Sequence, residues 1–148
     1  PFVEVGLGGW DNHQNIFQTL ENTKLPELDR GMSALMEDLA ARDMLDDVAV
    51  IWMGEFSRTP RINGNTGRDH WARSWSAVVG GAGMNSGIAA GATHEDGTSV
   101  VGPSQSSEDL MATVCHSLGI SLETTFTSQS GRPMKIANGG KVIKELIS

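Results

Sequence analysis

The stretch D-D-V-A-V-I-W-M-G-E-F-S-R-T-P, Asp46 to Pro60, decides how this chain is read. Val48 to Met53 is a continuous apolar run of strand length, as expected for a strand buried on both faces, and it breaks at Gly54 into a polar loop that carries Glu55 and Arg58. A strand of that kind belongs to an α/β fold, where ligands and chemistry gather beyond the carboxyl ends of strands. Two more polar clusters stand beside apolar runs: G-W-D-N-H at Gly9 to His13 and G-R-D-H-W at Gly67 to Trp71. Together the three loops hold Asp11, Glu55, Asp69, His13, His70, Arg58 and Arg68, which points to one site assembled from separate segments.

The surrounding pattern fits alternating strands and helices. Phe2 to Leu7 alternates and is rich in β-formers before breaking at Gly8 and Gly9, which predicts a short strand. A helix is expected next, with Asn22 or Thr23 as cap, Pro26 in its first turn and Leu28, Met32, Leu35, Met36 and Leu39 on one face. Arg61 to Arg68 reads as a loop, and Trp75 to Val79 as a second buried strand. The glycines from Gly80 to Gly91, with Ser86 to Ala90 as a return strand, suggest a hairpin. Ser106 or Ser107 can cap a helix that aligns Leu110, Val114 and Leu118 and stops at Gly119. The tail to Ile147 is loop plus one short element.

The 148 residues suffice for one α/β domain, residues 1–148, with a hydrophobic core. A net charge of -7 argues against nucleic acid or an anionic membrane as partner, and no apolar stretch is long enough to span a bilayer. With Cys115 alone, no internal disulfide can form. The chain begins at Pro1 without an initiator Met and is read as part of a longer protein, with any targeting segment upstream.

Asp11 and His13 lie two apart in a loop, so an extended backbone lets acid and imidazole converge on one cation; a helix cap with a nearby histidine would also explain them. Glu55 follows the most apolar strand, where a carboxylate is costly unless paired or bound to metal, and Arg58 is its obvious protein partner. Asp69 and His70 are adjacent, so one can ligate while the other orients it; His70 is the better ligand, with Asp69 as its support. Such a set without thiolate suits a divalent ion such as Zn, Mn, Mg or Ca. Arg58 and Arg68 are expected to clamp an anionic ester beside it. His94, His116 and Cys115 read as ordinary surface or packed residues. Trp10, Trp71 and Trp75 could wall a pocket or simply pack at strand edges.

These motifs, taken in order with the A-T-V-C-H-S-L-G-I helix and G-R-P at Gly131 to Pro133, resemble the bacterial family named domain of unknown function 1501 over nearly the whole chain. That family is in turn similar to the sulfatase and alkaline phosphatase superfamily. The resemblance implies a three-layer α/β/α core of the alkaline phosphatase-like type, of which this chain would be the C-terminal portion. It also implies that Asp11, His13, Glu55 and His70 fall where the superfamily places metal ligands. Glu55-Phe56 stands where an Asp-His pair is typical, Ser57 where the family usually has Gly, and His94 where an acid is common. No C-x-P-x-R-like nucleophile segment is present. An extracytoplasmic location is implied by the twin-arginine leaders common in such proteins.

The expected function is metal-dependent hydrolysis of small anionic esters, or of a sulfated or phosphorylated glycan, with the missing N-terminal portion of the same protein completing the site. The alternative is a non-catalytic member that binds an anionic glycan or a partner protein.

Overall fold

A computed structural model describes residues 1–147. The chain folds as helices and small antiparallel sheets. Helix α1 (Ile16–Thr19) runs through a π-helical turn (Leu20–Lys24) into α2 (Leu25–Ala41). Short strands follow: β1 (Val50–Trp52), β2 (Ser57–Arg58), β3 (His70–Trp71), β4 (Val78–Gly80), β5 (Ala92–Thr93) and β6 (Val100–Val101). Helix α3 (Ser107–Ser117), strands β7 (Thr125–Thr127) and β8 (Pro133–Lys135), and a 3-10 turn (Lys144–Leu146) complete the order. The strands pair as β1 with β4, β2 with β3, β5 with β6 and β7 with β8, all antiparallel.

The first helix starts six residues or more before the expected caps, because its opening amides are satisfied from elsewhere. Asn15 N donates to the Asn65 carbonyl at 3.1 Å and Ile16 N to that of Thr66 at 2.9 Å. Asn22 and Thr23 therefore lie inside the helix, in the π turn, where Asn22 Nδ2 donates to the Gln18 carbonyl at 3.0 Å. The wider π turn ends two residues before Pro26, whose ring would crowd the carbonyl four residues back in a regular helix. The segment ends at Asp43, which takes a left-handed φ of 54°.

Three expected strands come out differently. Phe2 to Leu7 forms no ladder among the described residues: Phe2, Val3 and Val5 are more than four-fifths exposed, since alternation makes a strand only where an edge pairs with it. Val48 to Met53 contributes β1, but as one half of an antiparallel pair that leaves Trp52 and Met53 exposed, so it is not buried on both faces. The partner is Val78–Gly80 and not Trp75 to Val79; Trp75 instead donates its indole N–H to the Gly54 carbonyl at 2.8 Å. Ser86 to Ala90 pairs with nothing among the described residues. Gly81, Ala82, Gly83, Gly87 and Gly91 all have positive φ, which turns the backbone out of the extended region, and the hairpin forms later between β5 and β6.

The core gathers around α3. Ala112, Val114 and Cys115 are buried, together with Ala137 and Ile143 of the tail, while Ala82, Met84, Leu39 and Ile16 are buried elsewhere. Ser106 caps α3 through a capping box: its hydroxyl accepts from Asp109 N, and Asp109 returns a carboxylate oxygen to Ser106 N. Asp109 also accepts from Lys141 N at 2.7 Å. Thr113 is fully buried, donating to the Asp109 carbonyl at 2.7 Å and accepting from Ile143 N at 2.9 Å. These bonds tie the tail to the helix. Gly119 follows α3 at a φ of 71°, the expected stop.

Candidate metal centre

The Gly9–His13 loop, β2 and β3 meet at one place. Pairing of Ser57 with Trp71 and Arg58 with His70 sets β2 beside β3, and Arg68 N donates to the Asn12 carbonyl at 3.0 Å, which draws the first loop alongside. Gly67 is required at this crossing. A Cβ there would overlap the His13 carbonyl and the Gln14 amide nitrogen, backbone atoms that a side chain cannot displace without moving the loop.

A single carboxylate oxygen is the hub. Asp11 Oδ1 lies 3.0 Å from His13 Nε2 and 2.9 Å from His70 Nε2, and it also accepts from Arg58 Nη1. Asp11, His13 and His70 each offer one ligand atom, and these atoms all lie within 4.8 Å of one another. All three side chains are about half exposed, so the cluster opens to solvent. The His13 and His70 rings are 5.0 Å apart, and Phe56 packs against His70 at 4.5 Å. Phe56 thus backs the His70 ring, and Arg58 lies over the Phe56 ring at 5.3 Å.

Asp69 turns to His13 and not to its neighbour His70. His13 Nδ1 lies 2.7 Å from Asp69 Oδ1, because successive residues entering β3 project to opposite sides. Asn63, in the stretch expected to be a loop, donates Nδ2 to the same carboxylate oxygen at 3.1 Å and to the His13 carbonyl at 3.0 Å. The signal available was the N-G-N-T-G run, Asn63 to Gly67, a side-chain-closed turn.

Of the remaining residues, Glu55 Oε1 stands 3.7 Å from Arg58 Nη2, outside the three-ligand group. Arg68 does not face the cluster's open side: its Nη1 donates to the carbonyls of Thr59 and Pro60 at 2.6 and 2.7 Å. Trp71 and Ser74 donate to the Thr98 and Gly97 carbonyls, so the turn at Gly97 buttresses β3, and Trp71 packs as a strand-edge residue. A surface concavity lined by Ser106, Asp109, Gly140 and Lys141 includes none of the clustered residues.

Electrostatics follow the contacts. The His70 hydrogen bond, helped by Arg58 and His13, holds the Asp11 carboxyl below the ordinary aspartate range. Asp69 is lowered first by His13 and next by Asn63. The Asp69 hydrogen bond, with the nearby Asp11 charge, raises the His13 pKa above its usual 6.5.

A family model described as "Protein of unknown function (DUF1501)" matches residues 1–147. No curated protein and no solved structure matches the chain. Among the described residues, no helix is long and apolar enough to cross a membrane.

Proposed function

We propose that this chain, which belongs to the DUF1501 family of proteins of unknown function, holds a divalent metal ion on Asp11, His13 and His70 and serves in hydrolysis of sulfate or phosphate esters. The convergence of one carboxylate oxygen and two imidazole nitrogens within 4.8 Å, from loops far apart in sequence, carries the reading. Two imidazoles with one carboxylate favour Zn or Mn over Mg and Ca, which prefer oxygen throughout. Three protein ligands and an exposed setting leave positions for water and substrate, as in catalytic centres. Bound there, such an ion supplies Lewis acidity and an acidified water.

The chain's own residues shape that chemistry. Asp69 holds the His13 ring by its Nδ1, and Phe56 packs on the His70 ring. Arg58 places a forked cation beside the cluster, matched to sulfate or phosphate oxygens. Glu55 faces that guanidinium at 3.7 Å. Arg68 holds the turn that carries Arg58 and Thr59. Thr59 Oγ1 donates to the Arg61 carbonyl and accepts from Asp69 N, so it is engaged, and the attacking group in this reading is water.

The finer likeness to sulfatases and alkaline phosphatases, with a three-layer core completed by an N-terminal portion, belongs to the same proposal. The order of the motifs supports it, as do the apolar side chains exposed at Trp52, Met53 and Val78. An extracytoplasmic setting goes with the family resemblance.

One observation favours a second reading. Arg58 donates to the same Asp11 oxygen that would ligate the ion, so the cluster can stand as an ion-pair knot in a non-catalytic protein that binds an anionic glycan or a partner. Elemental analysis of the full-length protein after exposure to Zn, Mn, Fe(II), Mg and Ca separates the two. Retained metal that is lost in Asp11→Ala, His13→Ala and His70→Ala supports the metal centre; equal content in all four proteins sinks it. Turnover of aryl sulfate or aryl phosphate by the loaded protein then tests the hydrolase assignment.

A further inference from the structure

Asn63 is half-buried, and both polar atoms of its amide are engaged. Asn65 N and Gly67 N both donate to one atom of its amide, at 2.9 and 3.0 Å. Two backbone donors can only face an oxygen, so the other atom is the nitrogen and its hydrogens point at the Asp69 carboxylate and the His13 carbonyl. One amide therefore reads three segments at once: its own turn, the start of β3 and the first loop.

We propose that Asn63 is the positioning residue of the metal centre. Anchored at Oδ1 by its own turn, it aims Nδ2 at Asp69 and His13, fixing the Asp69 carboxylate on His13 Nδ1 so that Nε2 faces Asp11 and His70. Gly67 completes the device, since only a residue without a side chain lets the turn lie against the His13 backbone. A ligating histidine depends on such an outer partner for its tautomer and ring orientation, and loss of the partner characteristically weakens metal binding by about 10- to 100-fold. This inference rests on the metal reading above and extends it to a residue that offers the ion no ligand atom.

The discriminating variant is Asn63→Asp. Its carboxylate still accepts from Asn65 N and Gly67 N, so the turn is kept, but it has no hydrogen for Asp69 and presents a like charge. An added negative charge by itself attracts a cation, so weaker binding cannot be assigned to charge alone. Zn affinity is measured by chelator competition on the full-length wild type, Asn63→Asp and Asn63→Ala, with imidazole nitrogen shifts of His13 recorded without metal at pH 9. Both variants are expected to bind about 10-fold or more weakly. Wild type is expected to hold the Nδ1–H tautomer toward Asp69 and both variants to lose it, while Asn63→Asp melts close to wild type. Wild-type affinity and tautomer in Asn63→Asp overturn the proposal. If wild type itself takes up no Zn, the metal reading fails separately, and the His13 tautomer still decides whether Asn63 sets the ring.

Discussion

His13 Nδ1 and Asp69 Oδ1 lie 2.7 Å apart, although 56 residues separate them in the chain. A proton on Nδ1 faces Asp69 there, and Nε2, which faces Asp11 at 3.0 Å, is the nitrogen that an ion would take.

A metal must displace the proton from His13 Nε2, so affinity should depend on pH. Because the Asp69 hydrogen bond raises the His13 pKa above 6.5, Zn affinity is expected to fall as pH drops through that raised value, by up to about tenfold per pH unit. Asp69→Asn removes the cause and should move the fall to lower pH. Competition titrations from pH 5.5 to 8.5 check both; a flat profile would contradict the assignment.

Without metal the sign reverses for stability. The raised His13 pKa means that its pairings stabilise the fold fully below the ordinary 6.5 and cease to do so as pH rises through the raised value. The lowered Asp11 and Asp69 contribute above about 3.8, and that contribution fades as pH falls through their lowered values. The melting difference between wild type and His13→Asn should therefore be greatest between these limits, near pH 5, and shrink toward pH 8. It should be small, since every partner is exposed.

Gly67→Ala should be the most damaging small substitution near the centre. The added methyl meets backbone of His13 and Gln14, so the crossing must open, at a cost of about 1–3 kcal/mol or more. Gly64→Ala, where an added Cβ has open space, is the control. Thermal melts of both variants, with Zn affinity alongside, provide the test.

Arg58 and Arg68 should separate cleanly. Arg68→Ala strips two backbone carbonyls of their donor and is expected to lower the melting temperature. Arg58→Ala frees Asp11 and should chiefly weaken inhibition by inorganic sulfate or phosphate while binding Zn at least as well. Equal loss of anion binding in both variants would restore Arg68 as part of the clamp.

At the other end, Thr113→Val keeps the shape but leaves Ile143 N without its acceptor in a fully buried place, at about 1–3 kcal/mol, whereas Thr113→Ser should retain most of the stability. Denaturant unfolding of the two variants compares them directly.

How much of this was legible in the sequence varies with the range of the interaction. Helix α3 is legible in the sequence in its extent, because a serine cap at Ser106 or Ser107 and the Gly119 stop are local signals, although Leu118 of the expected apolar face is exposed. Helix α1 was missed because its start is satisfied by carbonyls from the 65–66 turn, about 50 residues away. The apolar run at Val50 to Trp52 announced a strand, but pairing direction and burial depend on a partner that periodicity does not specify. At the site, residue types told which side chains could act, whereas Asp69's choice of His13, Arg68's turn toward backbone and the part played by Asn63 are decided by where loops cross.

The crossings at Asp11 and Asp69 also impose an order of events. The helices and the Asn63–Gly67 turn close over few residues, whereas the contacts of Asp11 with Arg58 and His70, and of His13 with Asp69, close loops of 47 to 59 residues. The centre is accordingly expected among the last parts to assemble and among the first to come apart, and a cation captured there would act as a late fastener, holding the finished chain by mass action.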